Sequence, residues 1–363
     1  MRNRIMLLLL SILLLAGCGA GTEEAAEITA APTETAAPSP DSGEKTAAEE
    51  RSVSFFAMDT YMSVRAWGAD DALLEFAERL VNDLEATLST TREDSAIHTL
   101  NRTGSAALPE DSAYLLDRAL GLCAETGGAL DITIYPVVRA WGFTTEDESY
   151  RVPAPEELSA LLERVDYTRV ALDGGTVSLP EGFEIDLGSV TKGYTGDRLA
   201  ALLRENGVKS ALLDLGGNIQ TVGAKPNGSE WRVGVQSPTG DGLLAVLSVA
   251  DKAIVTSGGY ERYFIDEDGN LRWHIMDPAT GYPARNGLIS VTVISDEGLY
   301  CDALSTALFV MGPDEAAAFW RSHRDFEMIL ATEDGVMLIT PGLADRFTQS
   351  DDAYTVKILA DTE

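Results

Sequence analysis

The sequence predicts an α+β fold, with mixed or antiparallel sheets and flanking helices around one large domain. Three observations predict it. Strand–turn–strand signals occur at Val170–Leu179, around Asp173-Gly174-Gly175, and between Tyr260–Ile265 and Leu271–Met276, around Asp268-Gly269-Asn270. Both read as hairpins. Helical stripes mix with these hairpins instead of alternating with single strands, which argues against a regular parallel βαβ array. Of the 363 residues, 45% are hydrophobic and 23% charged, with 33 Gly and 14 Pro. That composition supports a buried core and excludes a collagen-like or wholly disordered chain. No sequence repeat occurs at a fixed period.

Taken in order, Phe55–Ala66 reads as a strand. Asp71–Leu88 is an amphipathic helix with Leu73, Leu74, Ala77, Leu80, Val81, Leu84 and Leu88 on one stripe. Asp111–Thr126 is a second helix, closed by Gly127-Gly128. Gly188–Asn206 is helical and ends at Gly207. Strands are expected at Ala211–Leu215, Trp231–Gln236, Leu244–Val249, Ile254–Ser257 and Ile289–Ser295. Helices at Asp302–Met311 and Asp314–His323 precede closing strands at Met328–Ala331 and Met337–Ile339.

The first 52 residues differ from the rest. A basic start, Met-Arg-Asn-Arg, leads into an apolar run from Ile5 to Leu15 and then Ala16-Gly17-Cys18. This is the pattern of an export signal, and the run is too short to span a bilayer as a mature helix. Residues 1–17 are therefore expected to be removed. Leu15-Ala16-Gly17-Cys18 resembles the lipobox of bacterial lipoproteins, which implies lipid attachment at Cys18 and an extracytoplasmic, membrane-anchored location. Residues 18–52 are rich in Ala, Thr, Glu, Pro and Ser, with eight acids and two bases between 19 and 52. Such a segment cannot bury enough apolar surface to offset its ordering entropy, and it reads as a disordered acidic tether. The catalytic domain is expected over 53–363.

Charge and cysteine count narrow the function. The 58 Asp and Glu against 27 Lys and Arg give a net charge of -31. That excludes a nucleic-acid binder, which gains affinity by neutralising many phosphates. It does not exclude a dinucleotide, whose pyrophosphate a metal ion, a helix N-terminus and one lysine can meet. With only Cys18, Cys123 and Cys301 present, neither a disulfide scaffold nor a four-cysteine zinc site is possible.

Several stretches carry unusual residue choices. In Glu184–Tyr194 a strand ends at Leu187 and turns into a helix through Gly188-Ser189-Val190-Thr191-Lys192. A helix start presents free amides that suit phosphate, but neither Walker A nor Gly-x-Gly-x-x-Gly spacing is present, and by itself the stretch reads better as a structural strand-to-helix turn. Asp302, Ser305 and Thr306 share one helix face and offer hard oxygen ligands of the kind magnesium prefers. Taken in isolation, Asp-x-x-Ser-Thr reads better as an Asp N-cap with two hydroxyls behind it. His274 precedes a Met-Asp-Pro turn and is the best general-base candidate of three histidines. His98 and His323 read as surface residues. No Gly-x-Ser-x-Gly elbow supports a hydrolytic triad.

Together these stretches resemble the FAD:protein FMN transferases, also called ApbE-type flavin transferases. The resemblance runs from about Phe55 to Gly312. It is carried by Met58-Asp59-Thr60, Ser89 through Asp94-Ser95 to Leu100-Asn101, Gly128–Phe143, Asp186–Tyr194, Asp214–Asn218, Thr256–Tyr263, His274–Pro283 and Asp302–Gly312. It implies mixed sheets related to the tunnelling fold, with FAD held in a cleft as substrate. The reaction implied is Mg2+-dependent transfer of FMN from FAD to a Thr or Ser hydroxyl of a target protein, with release of AMP. Implied targets are flavin-bearing subunits of membrane redox pumps and extracytoplasmic reductases. Two alternatives stay open: an Mg2+-dependent FAD pyrophosphatase and a non-catalytic FAD-binding lipoprotein.

By matching position, the resemblance makes Asp302, Thr306 and the Ser189 carbonyl metal ligands. It places Met58, Ala129, Leu130, Asp131, Asp186, Lys192, Met276 and Ser305 around the flavin and adenine, and it makes His274 the base. Three departures stand out. Thr90-Thr91 replaces an aromatic residue common after Ser89, Asp59 stands where Gly is usual, and Tyr135 replaces a common Gly.

Overall fold

The computed structural model describes residues 48–144, 149–238, 240 and 242–360. The expected signal segment, Cys18 and most of the expected tether lie outside the described residues. Strands, in chain order, are β1 Glu50–Ala57, β2 Thr60–Trp67, β3 Ser105–Ala107, β4 Ala171–Asp173, β5 Thr176–Ser178, β6 Ser210–Leu215, β7 Ile219–Val222, β8 Trp231–Gln236 and β9 Leu243–Val249. They continue as β10 Ala253–Gly258, β11 Tyr263–Ile265, β12 Leu271–Trp273, β13 Leu288–Ser295, β14 Glu327–Thr332, β15 Val336–Ile339, β16 Phe347–Gln349 and β17 Thr355–Ile358. The helices are α1 Asp71–Leu88, α2 Ala96–Thr103, α3 Glu110–Glu125, α4 Tyr135–Ala140, α5 Pro155–Leu162, α6 Gly188–Glu205, α7 Gly298–Met311 and α8 Pro313–His323.

The organising element is a sheet in the order β1-β2-β6-β7-β10-β13-β14-β15-β17. Its pairs are antiparallel except the parallel β15–β17 pair. The α+β expectation with mixed sheets therefore holds. Two apolar cores form where helices cover this sheet. Met62, Val64 and Ala66 of β2 meet Leu74, Ala77 and Val81 of α1 and Leu199 and Leu203 of α6. Val291 and Val293 of β13 meet Leu304, Leu308 and Phe309 of α7. A further cluster, with Trp231, Val233, Leu247, Ile294 and Ile329, fills the space between the main sheet and the sheet β16-β9-β8.

Local chemistry explains the helices. Asp70 accepts from Leu73 N at 2.8 Å and caps α1, whose buried residues fall on the expected stripe. Ser95 caps α2 by accepting from Ile97 N and His98 N. Helix α7 is buried nearly all round, from Leu299 to Phe309, so its apolar sequence marks a central helix and not a surface one.

Five expectations need correction. Phe55–Ala66 is not one strand but most of the β1–β2 hairpin, with Met58 (φ 49°) and Asp59 (φ 59°) both left-handed at its turn. β1 starts at Glu50, so the first described strand begins before Val53. No strand leads into α6: Glu184–Leu187 belongs to no sheet, and the Asn101 side chain brackets it by donating to Ile185 O and accepting from Ile185 N, both at 2.8 Å. Helix α7 begins at Gly298, a turn earlier than expected. His98 and His323 are half-buried, the latter stacked on Phe319 at 3.8 Å. Cys123 and Cys301 are both buried and free.

Candidate active site

Helices α6 and α7 cross at a point where no side chain intervenes. A Cβ on Gly193 would lie 2.2 Å from Gly298 O and 2.8 Å from Asp302 Cβ. Glycine at 193 thus lets the two backbones approach and carries the first turns of α6 to Asp302. Asp197, on the next turn of α6, caps α7 by accepting from Gly298 N at 2.7 Å and Leu299 N at 2.9 Å, and Gln220 steadies it with a 2.9 Å bond. A carboxylate at a helix start is favoured by the free amides and the dipole.

Asp302 is 5% exposed. It lies in the second turn of α7, so it is not the cap. Its Oδ2 accepts from Gly193 N at 2.8 Å. Regular helix geometry assigns that same donor to the Ser189 carbonyl. The carboxylate thus competes for it and weakens the helix's hold on that carbonyl. Burial pushes the Asp302 carboxyl up, and Lys192 with the Gly193 amide pulls it down. Ser305 Oγ donates to Asp302 O at 2.9 Å and lies 2.8 Å from Ser257 Oγ, which lies 3.4 Å from Thr306 Oγ1.

Lys192 is the shared cation of this centre. It acts electrostatically on Asp302, Asp186, Glu261 and His274, while Arg262 acts on the last three. Desolvation raises the Asp186 carboxyl, opposed by the Gly188 amide at 3.0 Å and by Lys192. Glu261 is accessible yet walled by protein, and desolvation raises its carboxyl too. Desolvation lowers His274 to about 4, with Arg262 and Lys192 adding to the effect. Its Nδ1 lies 3.3 Å from Arg262 O, and its backbone N donates to the same carbonyl at 3.1 Å. With Nδ1–H directed at that carbonyl, Nε2 carries the free lone pair.

The other sequence-selected residues lie on several separate segments. Met58 Sδ is 3.9 Å from Thr195 Oγ1, a turn beyond Lys192 on α6, and Met58 N donates to Glu85 Oε1 at 2.9 Å. Asp131 is 7% exposed, and its carboxylate is already occupied by Thr133 N, Thr133 Oγ1 and Tyr167 N. Leu130 is buried and Ala129 half-buried beside the same core. The 129–131 segment adjoins Asp186, whose N donates to Ile132 O at 2.8 Å. Met276 is buried against the Trp141 cluster. The Asp214–Asn218 loop packs on the hairpin tip, where a Cβ on Gly216 would lie 2.2 Å from Thr60 Oγ1. Tyr135, at a departure position, is buried, with a side-chain hydrogen bond to Thr90, another departure.

Sequence reasoning missed Asp197, Glu261 and Arg262. Glu261 and Arg262 stand inside a motif that was selected for other residues. Asp197 has no local signal, because its partners are amides a hundred residues on.

A sequence profile of the ApbE family matches residues 58–330. The chain is 35% identical over 307 residues to the FAD:protein FMN transferase of Treponema pallidum, covering 79% of this chain and 84% of that protein. It is 32% identical over 275 residues to the FAD:protein FMN transferase of Escherichia coli K12, covering 72% and 78%. Among solved structures, the apo flavinyl transferase ApbE of Pseudomonas stutzeri superposes with a TM-score of 0.76 at 26% identity, covering 85% of this chain and all of that one. The ApbE protein of Thermotoga maritima gives 0.74 at 29% identity, covering 84% and 97%.

Proposed function

The chain belongs to the ApbE family, and from that premise we infer that it is an FAD:protein FMN transferase, an enzyme that moves FMN from FAD onto an acceptor protein. The observation that carries this reading is that Lys192 acts electrostatically on both Asp302, at the α6–α7 crossing, and His274.

In finer detail, we propose that the acceptor is a Thr or Ser hydroxyl and that AMP leaves. The hydroxyl oxygen forms a bond to the FMN phosphorus of FAD, the P–O bond to AMP breaks, and the hydroxyl proton passes to His274. A base must be unprotonated to act, and His274, held near 4, is neutral at pH 7. Lys192 offsets anionic charge on the pyrophosphate.

We also propose that the reaction uses Mg2+, held by the Asp302 carboxylate, the Thr306 hydroxyl and the Ser189 carbonyl. The donor set fits, being hard oxygens, and the contested Gly193 donor favours an available Ser189 carbonyl. Among the described residues no three His, Cys, Asp or Glu side chains converge to hold a metal. The remaining ligands would then come from substrate phosphates and water, as is common for this ion. Mg2+ supplies charge neutralisation at the pyrophosphate.

We further propose that residues 1–17 direct export and that lipid on Cys18 anchors the domain outside the cytoplasm, where acceptors would be flavin-bearing subunits of redox pumps or reductases. The support is the sequence pattern of residues 1–52. No helix among the described residues is long and apolar enough to cross a membrane.

The test is to incubate the protein with FAD, Mg2+ and the flavin-free subunit of a membrane redox pump, then view a denaturing gel under ultraviolet light. A fluorescent acceptor band is expected from the native chain, and none from Asp302→Ala. Free FMN without a band would instead indicate hydrolysis. Full activity in Asp302→Ala would break the metal assignment.

A further inference from the structure

Two hairpins frame the active centre, and both expose apolar side chains outward. The β1–β2 hairpin carries Met58 at its turn, beside Thr195 of α6. Its outer face shows Phe56, 60% exposed, and Tyr61, 79% exposed, which pair edge-to-face at 5.3 Å. The β11–β12 hairpin leads directly into His274. Alternation along β11 divides its residues between two sides. Phe264 points inward, stacked on Tyr150 at 5.1 Å and near Trp141 and Phe143. Tyr263, 47% exposed, and Ile265, 65% exposed, point the other way. Asp59 and Arg262 join the two hairpins through an ion pair at 3.3 Å. Each lies within three residues of exposed apolar side chains on its own hairpin.

Four of the large exposed apolar residues therefore gather around one bridge, next to the groups that hold and deprotonate. Among the described residues they stay exposed, with the Phe56–Tyr61 pairing as their one ring contact. Scattered singly they would need no explanation, but paired aromatics beside a catalytic group are the composition of an interface centre. The second substrate of the reaction is itself a protein, and its hydroxyl must reach His274. We propose that Phe56, Tyr61, Tyr263 and Ile265 form the docking rim for the acceptor protein, with the Asp59–Arg262 bridge as its polar middle. The occupant is a folded acceptor whose surface beside the target Thr or Ser is apolar. The proposal rests on the transferase reading and adds to it the surface that selects the acceptor.

The experiment uses the full chain, FAD, Mg2+ and the flavin-free subunit of a redox pump, with the variants Phe56→Ala/Tyr61→Ala and Ile265→Ala. Truncating buried anchors of an interface commonly costs tenfold or more in affinity. KM for the acceptor should therefore rise about tenfold in the double variant, with kcat at saturating acceptor unchanged. FAD affinity, read from flavin fluorescence, should also be unchanged. An unchanged acceptor KM overturns the rim, as does a loss of FAD affinity of the same size, which would indicate damage to the centre. An unchanged KM together with reduced self-association on gel filtration would assign the surface to a second copy of this chain. A native chain that labels no acceptor would break the transferase reading itself and take the rim with it.

Discussion

The floor and the rim of the site are built on opposite principles. At the floor, α6 and α7 meet through glycine, a buried carboxylate receives a backbone amide at 2.8 Å, and a further carboxylate caps the partner helix. At the rim, two short hairpins expose aromatic and aliphatic side chains and are joined by an ion pair whose members are half or more exposed. A floor that must place charge within tenths of an ångström tolerates no extra atoms, because packed interiors transmit a displacement to every neighbour. A rim that meets another protein can vary, since its contacts are to solvent or to a partner. On the proposed function, the difference also separates the two substrates: FAD chemistry would depend on the floor, acceptor choice on the rim.

Three variants test that division. The largest effect is expected at the centre, where His274→Ala should lower kcat by about 10²- to 10⁴-fold, the usual contribution of a positioned base. Because burial holds the native imidazole near 4, below its ordinary 6.5, transfer should persist as pH falls through 6.5 and fail only well below it. The same sign applies to stability. The unfolded chain takes up this proton near 6.5 and the native chain only near 4, so the contribution is full above 6.5 and is lost as pH falls between them. A pH–rate profile with an acid limb at 6.5 that vanishes in the variant would contradict a base kept neutral by desolvation.

A smaller but still large effect is expected at the crossing. Gly193→Ala places a methyl 2.2 Å from Gly298 O, which should cost about 1–3 kcal/mol of stability by overpacking. A thermal melt reads this directly, and metal-dependent activity should fall with it because Asp302 must shift. A melt unchanged within error would mean that the helices do not meet as described.

The smallest effect belongs to the rim. Asp59→Gly removes one exposed ion pair and relieves a left-handed residue with φ 59°. These changes oppose one another, and the net shift in denaturant midpoint should correspond to less than about 1 kcal/mol. A larger loss would make the bridge a structural tie between the hairpins and blur the contrast with the floor.

Much of the fold was legible because the chain states it locally. The α1 stripe from Leu74 to Leu88, the hairpin at Gly174-Gly175 and the strand Trp231–Gln236 appear where periodicity and turn chemistry put them. The β1–β2 turn was not legible. Met58-Asp59 contains neither Gly nor Asn, and alternation runs on through it, so a hairpin reads as one long strand. Glu184–Leu187 has strand-like residues but finds no strand beside it, and a side chain from α2 takes the partner's place.

By itself the sequence determined the fold class and the family and singled out Lys192, His274, Asp302 and Thr306 as candidates, because each is written in short-range pattern or in resemblance. Only the tertiary structure decided that Asp302 stands a turn inside α7 and meets the amide of Gly193, that Asp197 caps the helix that carries it, and that Glu261 and Arg262 join the centre. It alone also brought two remote hairpins into one rim. The physical reason is range. Periodicity, caps and turns act over a few residues, while a shifted pKa, a helix crossing and an apolar patch are properties of groups that chain folding brings together from distant positions.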